Sequence, residues 1–451
     1  MNNQPTRIVI LGGGFAGATV ARELERLFDP RANVEITLID QENYSLFTPL
    51  LPEVPSGALE AKHIVSPLRA FLRRANVRQA EVKRIDLGER IVIAAHCPAC
   101  EIAYFRYDHL VLALGSVTNF FDMPGIASRA LRMKTLADAT SLQAHVIGKF
   151  EHASMYPARR KELLTFVVAG GGFAGVETAA ELNDFVRKAE RYYPEVRKED
   201  VRVFLVHSGT HILPEVSESL SAYALNKLRS RGVDVLLQAR IQGYSDGCIR
   251  LSSNEEIPSR TLIWTAGTRA HPLLAGLDVA KTGTGAVVVD EMLRVNGCPS
   301  VWAIGDCASV PDLITGRKCP PTAQHAIRQA RRLARNIAST VNGQAPTPYR
   351  YKPIGILAGL GRRSAVAEIL GFKFSGFFAW WLWRTAYLLK LPGLDRKVRV
   401  AMDWTLDLIF PRDIAYLRPL HLAHGSGPAP QLEHSNDSKT MVSAAVGSTE
   451  S

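Results

Sequence analysis

The segment Gly12-Gly13-Gly14-Phe15-Ala16-Gly17 recurs as Gly170-Gly171-Gly172-Phe173-Ala174-Gly175, 158 positions further along the chain. Glycines at this spacing suit phosphate binding. In each copy the first (Gly12, Gly170) permits a tight turn, the second (Gly14, Gly172) lets backbone approach a pyrophosphate, and the third (Gly17, Gly175) lets a helix lie close on its strand. The phosphates then sit at a helix N-terminus, with Phe15 and Ala16 in its first turn, where unpaired N–H groups and the dipole favour negative charge. One such turn alone can be a packing feature. Two copies, each following a short apolar strand (Ile8 to Leu11, Phe166 to Ala169) and opening an Ala/Glu/Leu-rich helix, read as two dinucleotide sites.

The elements around the turns carry the next signals. Val34 to Ile39 reads as a second strand ending on Asp40, 23 residues past Gly17, where an acid hydrogen-bonds a ribose 2′-hydroxyl. After the second turn the matching strand, Val201 to Val206, ends on His207 and Ser208, so the acid is missing there. The spacing places nine extra residues in the polar stretch from Arg187 to Asp200. Leu110 to Gly115, Leu262 to Gly267 and Val301 to Asp306 are three further strand-to-glycine segments, each of which alone could be a buried strand ending in a turn. Two dinucleotide turns in one chain imply either two nucleotides face to face or one decayed copy.

At 451 residues, 47% hydrophobic and 22% charged, the chain is a folded globular protein of two or three domains, not a collagen, coiled coil or disulfide scaffold. Its charge of +11 is local: ten basic residues and two acids between Arg350 and Val400 carry +8 of it. The six cysteines are sparse and irregular, as in a reducing compartment. No secretory signal opens the chain and no apolar run reaches the roughly 18 residues of a membrane span. Cys97 and Cys100 form one CxxC, read as a hairpin turn rather than a redox pair or zinc site, so no metal is expected. Residues 421–451 lack Phe, Tyr, Trp and Ile and read as a disordered tail.

Taken together, the paired turns and the segments ending at Gly115, Gly267 and Asp306 resemble the two-dinucleotide-binding-domain flavoproteins. The finer resemblance is to type II NADH dehydrogenases, and it covers roughly residues 7–420. Leu46 to Leu51, Gly172 to Glu177, Pro320 to Gln324 and the aromatic helix Gly376 to Trp383 carry it. The resemblance implies an α/β fold with two Rossmann-like dinucleotide-binding domains, the second inserted in the first, plus a C-terminal membrane-docking segment. The boundaries it suggests are 1–125 and 284–345 for an FAD module, 126–283 for an NAD(P)H module and 346–420 for docking.

Carried over by position, Thr48 lies near the isoalloxazine, the Ala323 backbone at its pyrimidine edge and Asp306 on the ribityl chain. Glu177 lies close to the flavin between nicotinamide and quinone, although a first-turn glutamate favoured by the helix dipole would look the same. Gln324 lies where the family contacts the quinone head group. Two positions depart from the family pattern. His207 stands where many members have a glutamate that selects NADH, so NADH leads as donor and NADPH stays open, and Arg328 stands where a second glutamine is common. The implied activity is hydride transfer from NADH through FAD to a membrane quinone, without proton pumping.

The aromatic stretch Phe377 to Leu391 is too short to span a bilayer. With its basic flanks it reads as an interfacial anchor on an anionic lipid surface, at the cytoplasmic side of the cell membrane, rather than a buried core helix. A second copy of the chain is a further candidate partner; nucleic acid is not, since no recognised module accompanies the charge. The competing readings are a sulfide:quinone or other flavin reductase, which would need positioned cysteines such as Cys319, and a membrane-associated flavoprotein that senses redox state without turnover.

Overall fold

The computed structural model describes residues 4–96 and 101–415. The CxxC at Cys97 and Cys100 and the expected tail lie outside the described residues.

The elements that position the site run in the order β1 (Thr6–Leu11), α1 (Phe15–Leu27), β2 (Val34–Asp40), β3 (Asn76–Gln79), β4 (His109–Leu112), β5 (Leu131–Arg132), α2 (Leu136–Met155), β6 (Thr165–Ala169), α3 (Phe173–Ala189), β7 (Arg202–Val206) and α4 (Glu218–Ser230). They continue through β8 (Val233–Leu236), β9 (Thr261–Trp264), β10 (Arg294–Val295), β11 (Cys298–Ala303), α5 (Ala323–Val341), α6 (Gly376–Lys390) and α7 (Leu394–Ile409).

Two sheets share one plan. The first has the order β10-β11-β4-β1-β2-β3, parallel except for β10, and the second the order β5-β9-β6-β7-β8, all parallel. The strand feeding each glycine turn, β1 or β6, lies between one strand leading to Asp40 or His207 and one running to Gly115 or Gly267. That is the point where strand order reverses, the usual ligand crevice of an open α/β sheet. β1 and β6 read as continuous apolar runs because both faces are covered: Ile8 to Leu11 and Phe166 to Ala169 are buried. The sheets are linked by an antiparallel pair, Ser116–Thr118 with Thr268–Ala270. The residues expected as an insertion form two short 3₁₀ turns, Glu190–Tyr192 and Lys198–Asp200, after α3 ends at Ala189.

One core joins the first sheet to α1 and α5 around the fully buried Trp302. Another joins the second sheet to α2, α3 and the C-terminal segment, with Phe150, Phe166 and Phe185 fully buried. Each such side chain contributes about 1.5–3 kcal/mol through burial. The C-terminal segment is a three-stranded antiparallel sheet (Gly355–Gly359, Ala365–Ile369, Phe372–Ser375) followed by α6 and α7. Only Ala379 and Trp383 of α6 and Val400 and Trp404 of α7 are buried. The outward faces are apolar: Phe377, Phe378, Trp381 and Leu389 on α6, and Leu394, Val398, Met402, Leu406 and Ile409 on α7. Among the described residues no helix is long and apolar enough to cross a membrane.

Candidate active site

The two glycine turns have matching geometry. Gly12 and Gly170 adopt φ of +103° and +112°, and a Cβ on Gly12 would lie 2.3 Å from the Ala113 carbonyl oxygen. On Gly17 or Gly175 it would lie 1.8 Å from the carbonyl oxygen of Gly12 or Gly170, so only glycine lets the helix sit this close. Around Gly14 and Gly172 nothing lies within 4 Å of that position. These second glycines are the N-caps of α1 and α3, and neither helix has a side-chain cap or an acid in its first turn. Two uncapped N-termini facing open space fit two pyrophosphates.

Asp40 and His207 occupy equivalent places. The Asp40 carboxylate accepts the Gly13 N–H at 2.5 Å and the Glu42 N–H at 2.7 Å, leaving lone pairs for a ribose hydroxyl. Burial raises its pKa and those two N–H donors oppose the shift. His207 Nδ1 accepts the Gly171 N–H at 3.1 Å, which places the proton of the neutral ring on Nε2. Burial lowers its pKa, so the second cradle carries a neutral ring where the first carries a carboxylate.

The remaining expected cofactor positions surround the first cradle or the link between sheets. Gly305, at φ +71°, faces the Ala16 methyl, and its neighbour Asp306 accepts from the Ser116 hydroxyl at 2.9 Å with Lys134 Nζ 3.7 Å away. Gly115 is left-handed with open space around it, and Gly267 packs on Phe121 while its carbonyl accepts the Asn119 N–H. Thr48 is exposed at the start of a 3₁₀ turn, Thr48–Glu53. Ala323 is the first residue of α5, capped by the Thr322 hydroxyl. Phe15 meets Phe47 edge-on at 5.7 Å and Phe47 meets Tyr387 at 6.1 Å, tying α1 to α6.

Glu177 and Gln324 are held by opposite ends of one strand. Gln324 Nε2 donates to the Gly355 carbonyl at 2.8 Å and its Oε1 accepts from the Tyr351 hydroxyl at 3.1 Å. Glu177 Oε1 accepts the Gly359 N–H at 2.8 Å and the Trp383 indole N–H at 3.3 Å. The two strand ends that hold them, Gly355 and Gly359, are about 13 Å apart along the strand. Glu177 is 8% exposed, and burial, countered by these two donors and reinforced by Glu53 and Glu181, pushes it up to about 8. A carboxylic acid there keeps its proton at neutral pH and can deliver it.

Sequence reasoning missed the neighbours of Glu177. A cavity of about 390 Å³ runs along α3 past Glu177, Glu181, Asp184 and Lys188, a stripe at helical spacing. Glu53, 4% exposed, faces it with Oε2 accepting the Trp404 indole N–H at 2.7 Å and Oε1 unpartnered. Burial and then the Glu181 carboxylate push Glu53 up to about 8, against Arg384, Trp404 and Arg412. Glu181 accepts from Ser56 at 3.0 Å and from Arg412 at 3.2 Å, and burial raises it too. The Arg412 guanidinium beside Glu181 opposes that rise. The Arg384 guanidinium stacks between Trp380 and Trp404, 4.2 and 4.6 Å from the ring centroids. A carboxylate-rich stretch of α3 was the one available signal; its partners come from distant parts of the chain.

Among the described residues, Cys307 and Cys319 are unsuited to sulfide chemistry. Burial pushes both the Cys307 and Cys319 thiols up to about 11, whereas a reactive thiol needs a depressed pKa.

Comparison with known proteins agrees with this geometry. Residues 6–330 match the family model for pyridine nucleotide-disulphide oxidoreductases, and residues 354–413 match that for the NDH2 C-terminal domain. The chain is 32% identical over 418 residues to a probable NADH dehydrogenase of Dictyostelium discoideum, covering 91% of each chain. It is 32% identical over 434 residues to the type II NADH:quinone oxidoreductase Ndh of Mycobacterium tuberculosis, covering 90% of this chain and 89% of the relative. The structure of NDH2 from Plasmodium falciparum in complex with NADH shares the fold at a TM-score of 0.84 and 21% identity, over 91% of this chain and 100% of that one. The chain belongs to the pyridine nucleotide-disulphide oxidoreductase family and, within it, to the type II NADH:quinone oxidoreductases, FAD-dependent enzymes that oxidise NADH and reduce quinone.

Proposed function

We propose that FAD occupies the cradle at Gly12, Gly14 and Gly17, NADH the cradle at Gly170, Gly172 and Gly175, and that the quinone meets the side chains held by strand Gly355–Gly359. The overall reaction is NADH + H⁺ + quinone → NAD⁺ + quinol. The observation that carries the site assignment is that single strand, whose end glycines bind Gln324 and Glu177. Bound FAD supplies the two-electron redox chemistry.

The chain supplies position and protons. Asp40 accepts a ribose hydroxyl, Asp306 a ribityl hydroxyl, and Thr48, Gly115 and Ala323 border the flavin ring system. His207 and Gly267 border the nicotinamide nucleotide, with NADH the leading donor. Gln324, oriented by Gly355 and Tyr351, retains its second N–H for a quinone oxygen. Glu177 holds a proton beside the reacting groups. On this reading the FAD module is 1–125 and 284–345, the nucleotide module 126–283 and the docking segment 346–420.

The docking surface is the apolar outward face of α6 and α7, with Lys390, Arg396, Lys397 and Arg399 on the same two helices. Apolar and basic groups together favour an anionic lipid surface on the cytoplasmic side over a second copy of this equally basic chain. Sedimentation with vesicles tests it. Binding should need anionic lipid, weaken with salt and fall at least tenfold in F378S/W381S, while NADH oxidation by a water-soluble quinone persists. Salt-independent self-association without vesicle binding would assign the face to a homodimer.

A further inference from the structure

Quinol formation takes up two protons, and NADH brings one of them with its electron pair. The other must come from water to a site enclosed by α3, the Thr48–Glu53 turn and the C-terminal segment. Glu177, Glu181, Asp184 and Lys188 lie along one face of α3 over about 16 Å, and the cavity they line reaches the exposed Arg362 and Arg363. Asp184 is committed to an ion pair with Arg231 and Lys188 to one with Asp407 at 3.1 Å. Glu53 is different: it is buried, lines the same cavity and has a carboxyl oxygen with no partner. An unpaired buried carboxyl oxygen is costly unless a proton or water in the cavity satisfies it.

We infer that this cavity is the inlet for the proton consumed in quinone reduction, and that Glu53 holds that proton between Glu181 and Glu177. The inference rests on the quinone-reductase reading. In each turnover an O–H bond of Glu177 breaks as one forms on the reduced quinone; Glu53 reprotonates Glu177, and water in the cavity reprotonates Glu53. No electrons move in the relay. The charged groups that set Glu53 are Glu177 and Glu181 on α3, Arg384 on α6 and Arg412 beyond α7, with Asp407 on α7 acting on Arg384.

Glu53→Gln in the holoenzyme, followed anaerobically by stopped flow, separates the two halves of the reaction. NADH should bleach the flavin at the wild-type rate, while reoxidation by quinone should slow about 10²-fold with a larger solvent deuterium effect and partial rescue by added formate. Of the two infrared stretches of buried protonated carboxyls at pH 7, one from Glu53 and one from Glu177, the variant should keep only that of Glu177. Trp404→Phe removes the indole donor from the Glu53 carboxylate, so the pH at which reoxidation declines should move upward; this decides the matter should Glu53→Gln not fold. Wild-type reoxidation in Glu53→Gln, or an unmoved pH profile in Trp404→Phe, would overturn the relay. Absence of bleaching by NADH in the wild type would overturn the underlying reading instead.

Discussion

The indole N–H of Trp383 donates to Oε1 of Glu177 at 3.3 Å, joining the C-terminal helix α6 to the helix that opens at the second glycine turn. The acid that holds the proton thus depends on the C-terminal segment for one of its two donors. Trp383→Phe should leave the chain folded at a cost of about 1–2 kcal/mol, since the ring still fills most of its space. Loss of the donor favours the neutral acid, so the decline of quinone reduction with rising pH should shift upward from near 8. A pH series of kcat checks this.

Gly14→Ala and Gly17→Ala should fail differently. A methyl on Gly14 enters open space, so that variant should melt close to the wild type yet lose FAD, because the methyl occupies the approach to the pyrophosphate. A methyl on Gly17 meets the Gly12 carbonyl, so that variant should lose FAD and also about 1–3 kcal/mol or more of stability. The flavin-to-protein absorbance ratio and a thermal melt of each variant make the comparison.

His207 leaves the second cradle without a carboxylate to accept a 2′-hydroxyl or to repel a 2′-phosphate. His207→Glu should therefore raise the preference for NADH over NADPH about 10–100-fold, mostly by weakening NADPH. Steady-state kcat/KM for the two donors measures it. An unchanged ratio would mean that selection resides elsewhere in the cradle.

The glycine turns, Asp40 and the paired sheets were legible because their constraints are local: a close backbone contact fixes glycine, and a buried parallel strand fixes an apolar run. The carboxylate pocket was not. Glu53, Glu181, Arg384 and Arg412 are hundreds of residues apart in part, and each alone reads as an ordinary surface charge. The outward stripe of α7 was hidden for another reason. Leu394, Val398, Met402, Leu406 and Ile409 have the spacing of a core-facing stripe, and only packing shows that Val400 and Trp404 face inward instead. Gln324 was proposed through resemblance alone, and its tie to Glu177 through one strand is visible only in three dimensions.

Glu53 and Glu177 also set a stability trend. Both are raised from an ordinary 4.5 to about 8, so between those values the native chain holds protons that the unfolded chain has released. Stability should then fall as pH rises from about 4.5 to 8. A Glu53→Gln, Glu177→Gln double variant should flatten that decline and melt above the wild type at pH 9. Parallel melting profiles would refute the assignment of these two groups.

The most direct test of the whole reading is an anaerobic titration of the bound flavin, adding NADH, NADPH or sulfide separately and then a short-chain quinone. NADH should bleach the visible absorbance and quinone should restore it promptly, with NADPH slower and sulfide without effect. Bleaching by sulfide alone, or a flavin reduced by NADH that no quinone reoxidises, would contradict it.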